Sequence, residues 1–90
     1  PPTYEARCVT CHGPHGRADG IAGLSLHPRP RDFADPAWQR ATDDLRIRDV
    51  IHDGGFAHGL SASMPAQPDL GAGDLDALVR CVRSFRAPAK

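Results

Sequence analysis

Residues 8 to 12 read Cys-Val-Thr-Cys-His, and no other stretch limits what this chain can fold into as strongly. A polypeptide of 90 residues buries too little apolar surface to be comfortable alone and usually recruits a disulfide, a metal or a cofactor. Its own core material is thin, with 40% hydrophobic and 6% aromatic residues. The three cysteines are an odd number, which favours a binding site over a disulfide framework. The pentapeptide is therefore read as one half of a site, and the rest of the chain as what wraps it.

Charge removes several function classes. Eleven basic residues balance eleven acidic ones, so there is no electrostatic footprint for nucleic acid and no polybasic patch for a membrane surface. No apolar run approaches the ~20 residues of a membrane span. The chain starts at Pro1 and shows no signal-like apolar segment. We therefore expect a processed mature form, or a domain cut from a longer polypeptide. The length predicts a single domain over residues 1–90.

Four helices can be placed, and strand signals are weak. The first is brief, from Thr3 to about Cys11, with Thr3 as N-cap after Pro2. In "DPAWQR", Asp35 caps a turn or two opened by Pro36. In "TDDLRIRDVIHDGG", Thr42 is the expected cap, Asp43 and Asp44 suit the positive end of the helix dipole, and Gly54 or Gly55 stops the helix. Ile47, Val50 and Ile51 share one face of it. The last helix, from Gly71 or Ala72 to about Phe85, repeats Leu75, Leu78, Val79, Val82 and Phe85 at helical spacing, with Pro88 beyond. Long loops remain at about 13–34 and 54–70. Loops of that size in a small domain are usually functional or wrapped around something.

Three readings of the pentapeptide compete. Structural zinc needs four closed ligands, and no second pair exists: Cys81 stands alone and the other histidines lack a matching spacing. A thioredoxin-like dithiol needs a preceding strand and a βαβ context, both missing. Attachment of c-type haem remains, for which CxxCH is the recognised signal. Two thiols three positions apart on a helical turn reach both vinyl groups on one side of a porphyrin, and the next residue places an imidazole under the iron. An electron-transfer haem then wants a soft second axial ligand, with Met and His the standard pair. The single methionine, Met64, lies in "SASMPAQPDL", flanked by Ser63 and Pro65 in a loop without apolar periodicity. That is a poor place for core packing and a good one for holding a sulfur rigidly.

On these residues the chain resembles a class I monohaem cytochrome c of the bacterial type. "YEARCVTCHGPHGRADG" is similar to the family's attachment helix and Gly-rich loop, and "MPAQPDLGAGDLDALVRCVRSFR" to its Met-Pro loop and closing helix. The resemblance implies an all-α fold of three to five short helices and long loops around one covalently bound haem c and its iron. It implies Cys8 and Cys11 as thioether anchors, His12 as proximal ligand and Met64 as distal ligand. It also implies a proline carbonyl that accepts a hydrogen bond from the proximal imidazole, with Pro28 preferred over Pro30. Arg29, Arg31 and Trp38 are candidate donors to the haem propionates, against a plain reading as solvated arginines and a core tryptophan.

The chain departs from that pattern in two places. The glycine usual where the first helix crosses the last is missing, so Tyr4 or Ala6 must serve. Cys81 stands where an aromatic residue is common, and its place on the last helix reads as a buried small hydrophobe. Of the remaining histidines, His15, His27, His52 and His58, only His58 competes as an axial ligand, in place of Met64.

Electron transfer through a His/Met-ligated haem is the expected function, as a free carrier or as the cytochrome domain or subunit of an oxidoreductase, with no catalytic residues of its own. Redox proteins docking weakly at the haem edge are the expected partners, and the bacterial periplasm the expected compartment. The rival readings are a haem enzyme or a gas or peroxide sensor in which Met64 dissociates, and a haem-free zinc module.

Overall fold

A computed structural model of the chain describes residues 2–26 and 30–87. Five helices form, α1 (Pro2–Arg7), α2 (Val9–His12), α3 (Pro36–Ala41), α4 (Asp44–Asp53) and α5 (Ala72–Ser84). Short 3₁₀ turns at Gly23–Ser25 and Phe56–His58 lie within the two long loops. No strand occurs among the described residues, as expected of an all-α chain.

The expected first helix is broken. Cys8 has φ −119 and separates α1 from α2, although its N–H still donates to the Tyr4 carbonyl at 2.9 Å. Thr3 lies inside α1 and not at its cap. Asp35 caps α3 through a bond from the Ala37 N–H at 2.9 Å, as its sequence position predicts. The cap of α4 is Asp43, not Thr42: the Asp43 carboxylate accepts from the Arg46 N–H at 2.7 Å. Thr42 ends α3 instead, and its carbonyl receives the Arg83 guanidinium at 2.5 Å. A carboxylate at the N-cap gains from the helix dipole as well as from the hydrogen bond, which decides between the two.

α4 and α5 pack along their apolar faces, and α1 crosses α5. Leu75, Leu78, Val79 and Val82 of α5 are buried with Ile47 and Ile51 of α4. Cys81 joins them as the expected small hydrophobe, its thiol pushed up by burial. At the α1–α5 crossing Tyr4 takes the place of the missing glycine, and Ala6 stays exposed. The Tyr4 ring meets Phe85 at 5.2 Å between centroids, and its hydroxyl donates to the Gly13 carbonyl at 2.6 Å.

α1 is also clamped to the end of the second loop. The Arg7 guanidinium donates to both oxygens of Asp69, at 2.9 and 2.7 Å, and to Gln67 Oε1 at 2.9 Å. This bond holds the Asp69 carboxyl below its ordinary value of 3.8. A depressed acid contributes stability above its unfolded value and loses it as pH falls through the folded one. Asp69→Asn should therefore lower the melting temperature at about pH 6 by at most a few degrees, because exposed pairs are weak. The difference from wild type should shrink steadily as pH falls below about 4. A difference independent of pH would mean that the clamp contributes nothing through its charge.

Candidate haem site

The carbonyls at the end of α2 need partners, since a helix leaves its last carbonyls unpaired. The first long loop folds back to supply them. Ala18 N–H donates to His12 O at 3.0 Å, Gly20 to Cys11 O at 3.2 Å and Ala22 to Thr10 O at 2.9 Å. A side chain at Gly20 would put Cβ 2.3 Å from the Thr10 and Val9 oxygens, and one at Gly23 would put it 2.1 Å from the Cys11 oxygen. The glycines of this loop are thus what allows it to lie against the helix that carries Cys11 and His12.

Cys8, Cys11 and His12 open onto one cavity, and so do Met64 and Pro65 from the second long loop. The cavity measures about 1190 Å³, above the roughly 300–1,000 Å³ of common small-molecule pockets. Leu26, Phe33, Ile47, Val50, Ile51 and Val82 supply apolar wall, and Arg7, Arg31 and Arg46 reach its rim. Two thiols, an imidazole and a thioether sulfur facing one large cavity of this kind fit a c-type haem.

His12 is buried and its ring lies stacked on Phe33, 4.4 Å between centroids and 16° from parallel. Burial lowers its pKa from 6.5, and the backbone of Arg31 works in the opposite direction. The neutral imidazole favoured by burial is the form that coordinates metals. Its Nδ1 is buried without a hydrogen-bond partner among the described residues. Pro28, the residue expected to accept that bond, lies outside the described residues, as do His27 and Arg29. The Cys8 thiol is pushed up to about 11 by burial and by the neighbouring Cys81, against the opposing charge of Arg7. Without its haem bond it is a neutral thiol at neutral pH.

The Met64 side is built from backbone. Gly55 N–H donates to the Met64 carbonyl at 3.0 Å, Leu60 N–H to Gly55 O at 2.8 Å, and Gln67 N–H to the carbonyl of His52 at 3.0 Å. Gly54 has φ +85, and a Cβ there would sit 2.8 Å from the Ala66 nitrogen. The loop therefore closes directly on the end of α4, with Met64 half-buried against the core.

Among the other expected residues, Pro30, Arg31 and Trp38 all line the cavity. Trp38 is half-buried with its ring 5.3 Å from Phe33, whereas Arg31 is exposed. His58 is turned to other partners, with Nε2 2.9 Å from Asp53 Oδ2 and Nδ1 3.3 Å from Arg46. It is not part of the cavity wall. Asp53 also meets His52 Nδ1 at 2.7 Å, and its bonds to the two histidines hold its carboxyl below the usual range. Phe33 and Arg46 were not singled out from the sequence. Arg46 could have been, because it lies one turn before Val50 and flanks the apolar face of α4; for Phe33 no local pattern exists.

An all-helical chain wrapped around a cavity with this donor set defines a small c-type cytochrome. Residues 2–80 match the family described as cytochrome c oxidase, cbb3-type, subunit III, and the chain belongs to that family. Among solved structures it is similar to the KustC0563 c-type cytochrome, with 33% identity and a TM-score of 0.73 over 94% of each chain. No curated protein gives a significant match. The cofactor of this family is haem c, covalently bound, with its iron, and no helix of the described residues is long and apolar enough to cross a membrane.

Proposed function

We propose that residues 1–90 form one cytochrome c domain that passes single electrons, with Cys8 and Cys11 as thioether anchors, His12 as proximal ligand and Met64 as distal ligand. The observation that carries this reading is the meeting of all four side chains on one cavity, three from α2 and its N-cap and one from the second long loop, each side held by separate glycine-dependent hydrogen bonds. When bound, haem c supplies reversible Fe(III)/Fe(II) exchange. The chain's part is to anchor, orient and dry. Cys8 and Cys11 would tether the haem, His12 and Met64 would ligate its iron, and the apolar wall from α4 and α5 would keep water away. Ligands held this firmly would rearrange little between oxidation states. With both ligands supplied by the protein no position would be open to a substrate, which favours a carrier over an enzyme or a sensor.

Pro30, Arg31 and Trp38 belong to the haem-binding wall in this reading, with Pro28 as acceptor for the His12 imidazole. Covalent attachment through CxxCH points to maturation outside the cytoplasm, in the bacterial periplasm. Donor and acceptor are redox proteins docking weakly at the haem edge, and the domain works either alone or as part of a larger oxidoreductase.

Optical spectra of both oxidation states, combined with a redox titration, test the proposal. A low-spin ferric spectrum with the weak red-edge band of Met ligation is the expected result. High-spin features without that band would transfer the function to an enzyme or sensor with an open iron. Intact mass of the reduced, denatured chain should exceed that of the polypeptide by one haem; a mass without it would end the cytochrome reading.

A further inference from the structure

Phe33 lies flat on His12, and its surroundings leave its ring little freedom. Its N–H donates to the Gly16 carbonyl at 2.7 Å, and its own carbonyl accepts from Gln39 Nε2 at 2.8 Å. Phe85 lies on it nearly parallel, 9° between planes at 6.5 Å, while Trp38 packs at 5.3 Å. Gly16 lets the first loop approach these rings closely, since a Cβ there would fall 2.6 Å from Phe85 and 3.0 Å from Phe33. Backbone bonds on both sides and aromatic neighbours thus fix Phe33, and Phe33 offers its face to the imidazole.

Gln39 is an unusual anchor because it is buried, with 4% of its surface exposed. Its second Nε2 hydrogen bond goes to the Val82 carbonyl at 2.9 Å, and its Oε1 accepts from the Arg83 guanidinium at 2.8 Å. These partners fix which end of the amide is nitrogen and which is oxygen. One α3 side chain therefore ties Phe33 to α5. A buried amide with its bonds satisfied is rigid and specifies one arrangement.

We infer that Phe33 is a positioning residue that sets the plane of the His12 imidazole, and that Gln39 holds Phe33 in register with α5. This rests on His12 as the proximal ligand. The Phe33 ring stacked on it restrains rotation of the imidazole about its bond to Cβ, with the backbone of Arg31 close beside the same ring. Partners around a ligating histidine orient it and tune its metal; in this chain an aromatic face adds to the hydrogen-bond acceptor proposed for the imidazole.

The test is the pattern of paramagnetically shifted haem methyl resonances in the ferric protein, which follows the direction of the axial ligand planes. Phe33→Leu removes the flat face and should reorder those resonances in the protein that carries covalent haem. Phe33→Tyr keeps the face and should restore the wild-type order. Gln39→Met should move the resonances in the same direction as Phe33→Leu. In the double variant it should add nothing to the spectrum while still lowering the melting temperature, a separation that a purely structural role would not produce. If Phe33→Leu does not accumulate, Phe33→Met refills the space with a flexible chain and carries the same comparison. A wild-type resonance order in the Leu or Met variant overturns the inference. Failure of the underlying reading looks different: wild type itself would then lack the low-spin spectrum or the added haem mass.

Discussion

Met64→Ala is expected to lower the reduction potential by on the order of 100–300 mV, since methionine as axial ligand raises it and axial ligands span about 0.8 V in all. The same variant should lose the red-edge band and gain high-spin character. Thioether sulfur is a soft donor that favours the reduced metal, and alanine offers no donor. The backbone bonds that close the loop on Gly55 and Ser61 do not involve the side chain, so the loop should persist and the change should be electronic. His58→Ala is the companion control. Because Asp53 and Arg46 hold His58 off the cavity wall, it should leave both band and potential near wild type. A Met64→Ala protein with an unchanged potential and spectrum would mean that another side chain is the distal ligand, and a collapse of the His58→Ala spectrum would name it.

The place of Met64 on the cavity wall was legible in the sequence for a physical reason, which also marks where legibility ends. Its setting lacked the apolar periodicity that a packing methionine has, so its role was open to chemistry. The caps and faces of α3, α4 and α5 were legible in the same local way. Asp35, the run from Ile47 to Ile51 and the stripe from Leu75 to Val82 act within one or two turns of themselves. Thr42 and Asp43 marked the limit even of that local logic. Either residue can cap, and the choice fell to a carboxylate at the dipole and to an arginine in the last turn of α5.

Other features come from residues far apart in the chain. The helix breaks at Cys8, and the α2 that follows is held by the returning loop through bonds from Ala18, Gly20 and Ala22. Gly16, Gly20 and Gly23 looked like ordinary loop residues, yet each lies where a Cβ would strike another segment. Phe33 and Gln39 carry no local signal at all: one is an isolated aromatic residue between charged and small neighbours, the other a polar residue on a short helix. Their importance exists only once α3, α5 and the first loop have come together.

A chain carrying both Cys8→Ala and Cys11→Ala, purified and shown by mass to hold no haem, is expected to lose most of its helical circular dichroism and its cooperative melt. The cavity is not separate from the core. Phe33, Ile47, Ile51 and Val82 belong to the buried cluster and to the cavity wall at once. An empty cavity leaves the side chains that line it without packing partners on one side, and local structure cannot make up the loss. α1, α2 and α3 are six, four and six residues long, well below the ~12–15 residues at which an isolated helix becomes even marginal in water. Anything that binds the folded chain and not the unfolded one adds directly to its stability, and a tethered haem does so at any protein concentration. Each single cysteine variant keeps one tether and should fall between wild type and the double variant in melting temperature. A haem-free double variant that still melted cooperatively near the wild-type midpoint would show that the polypeptide completes its core unaided, and the cavity would then need another occupant.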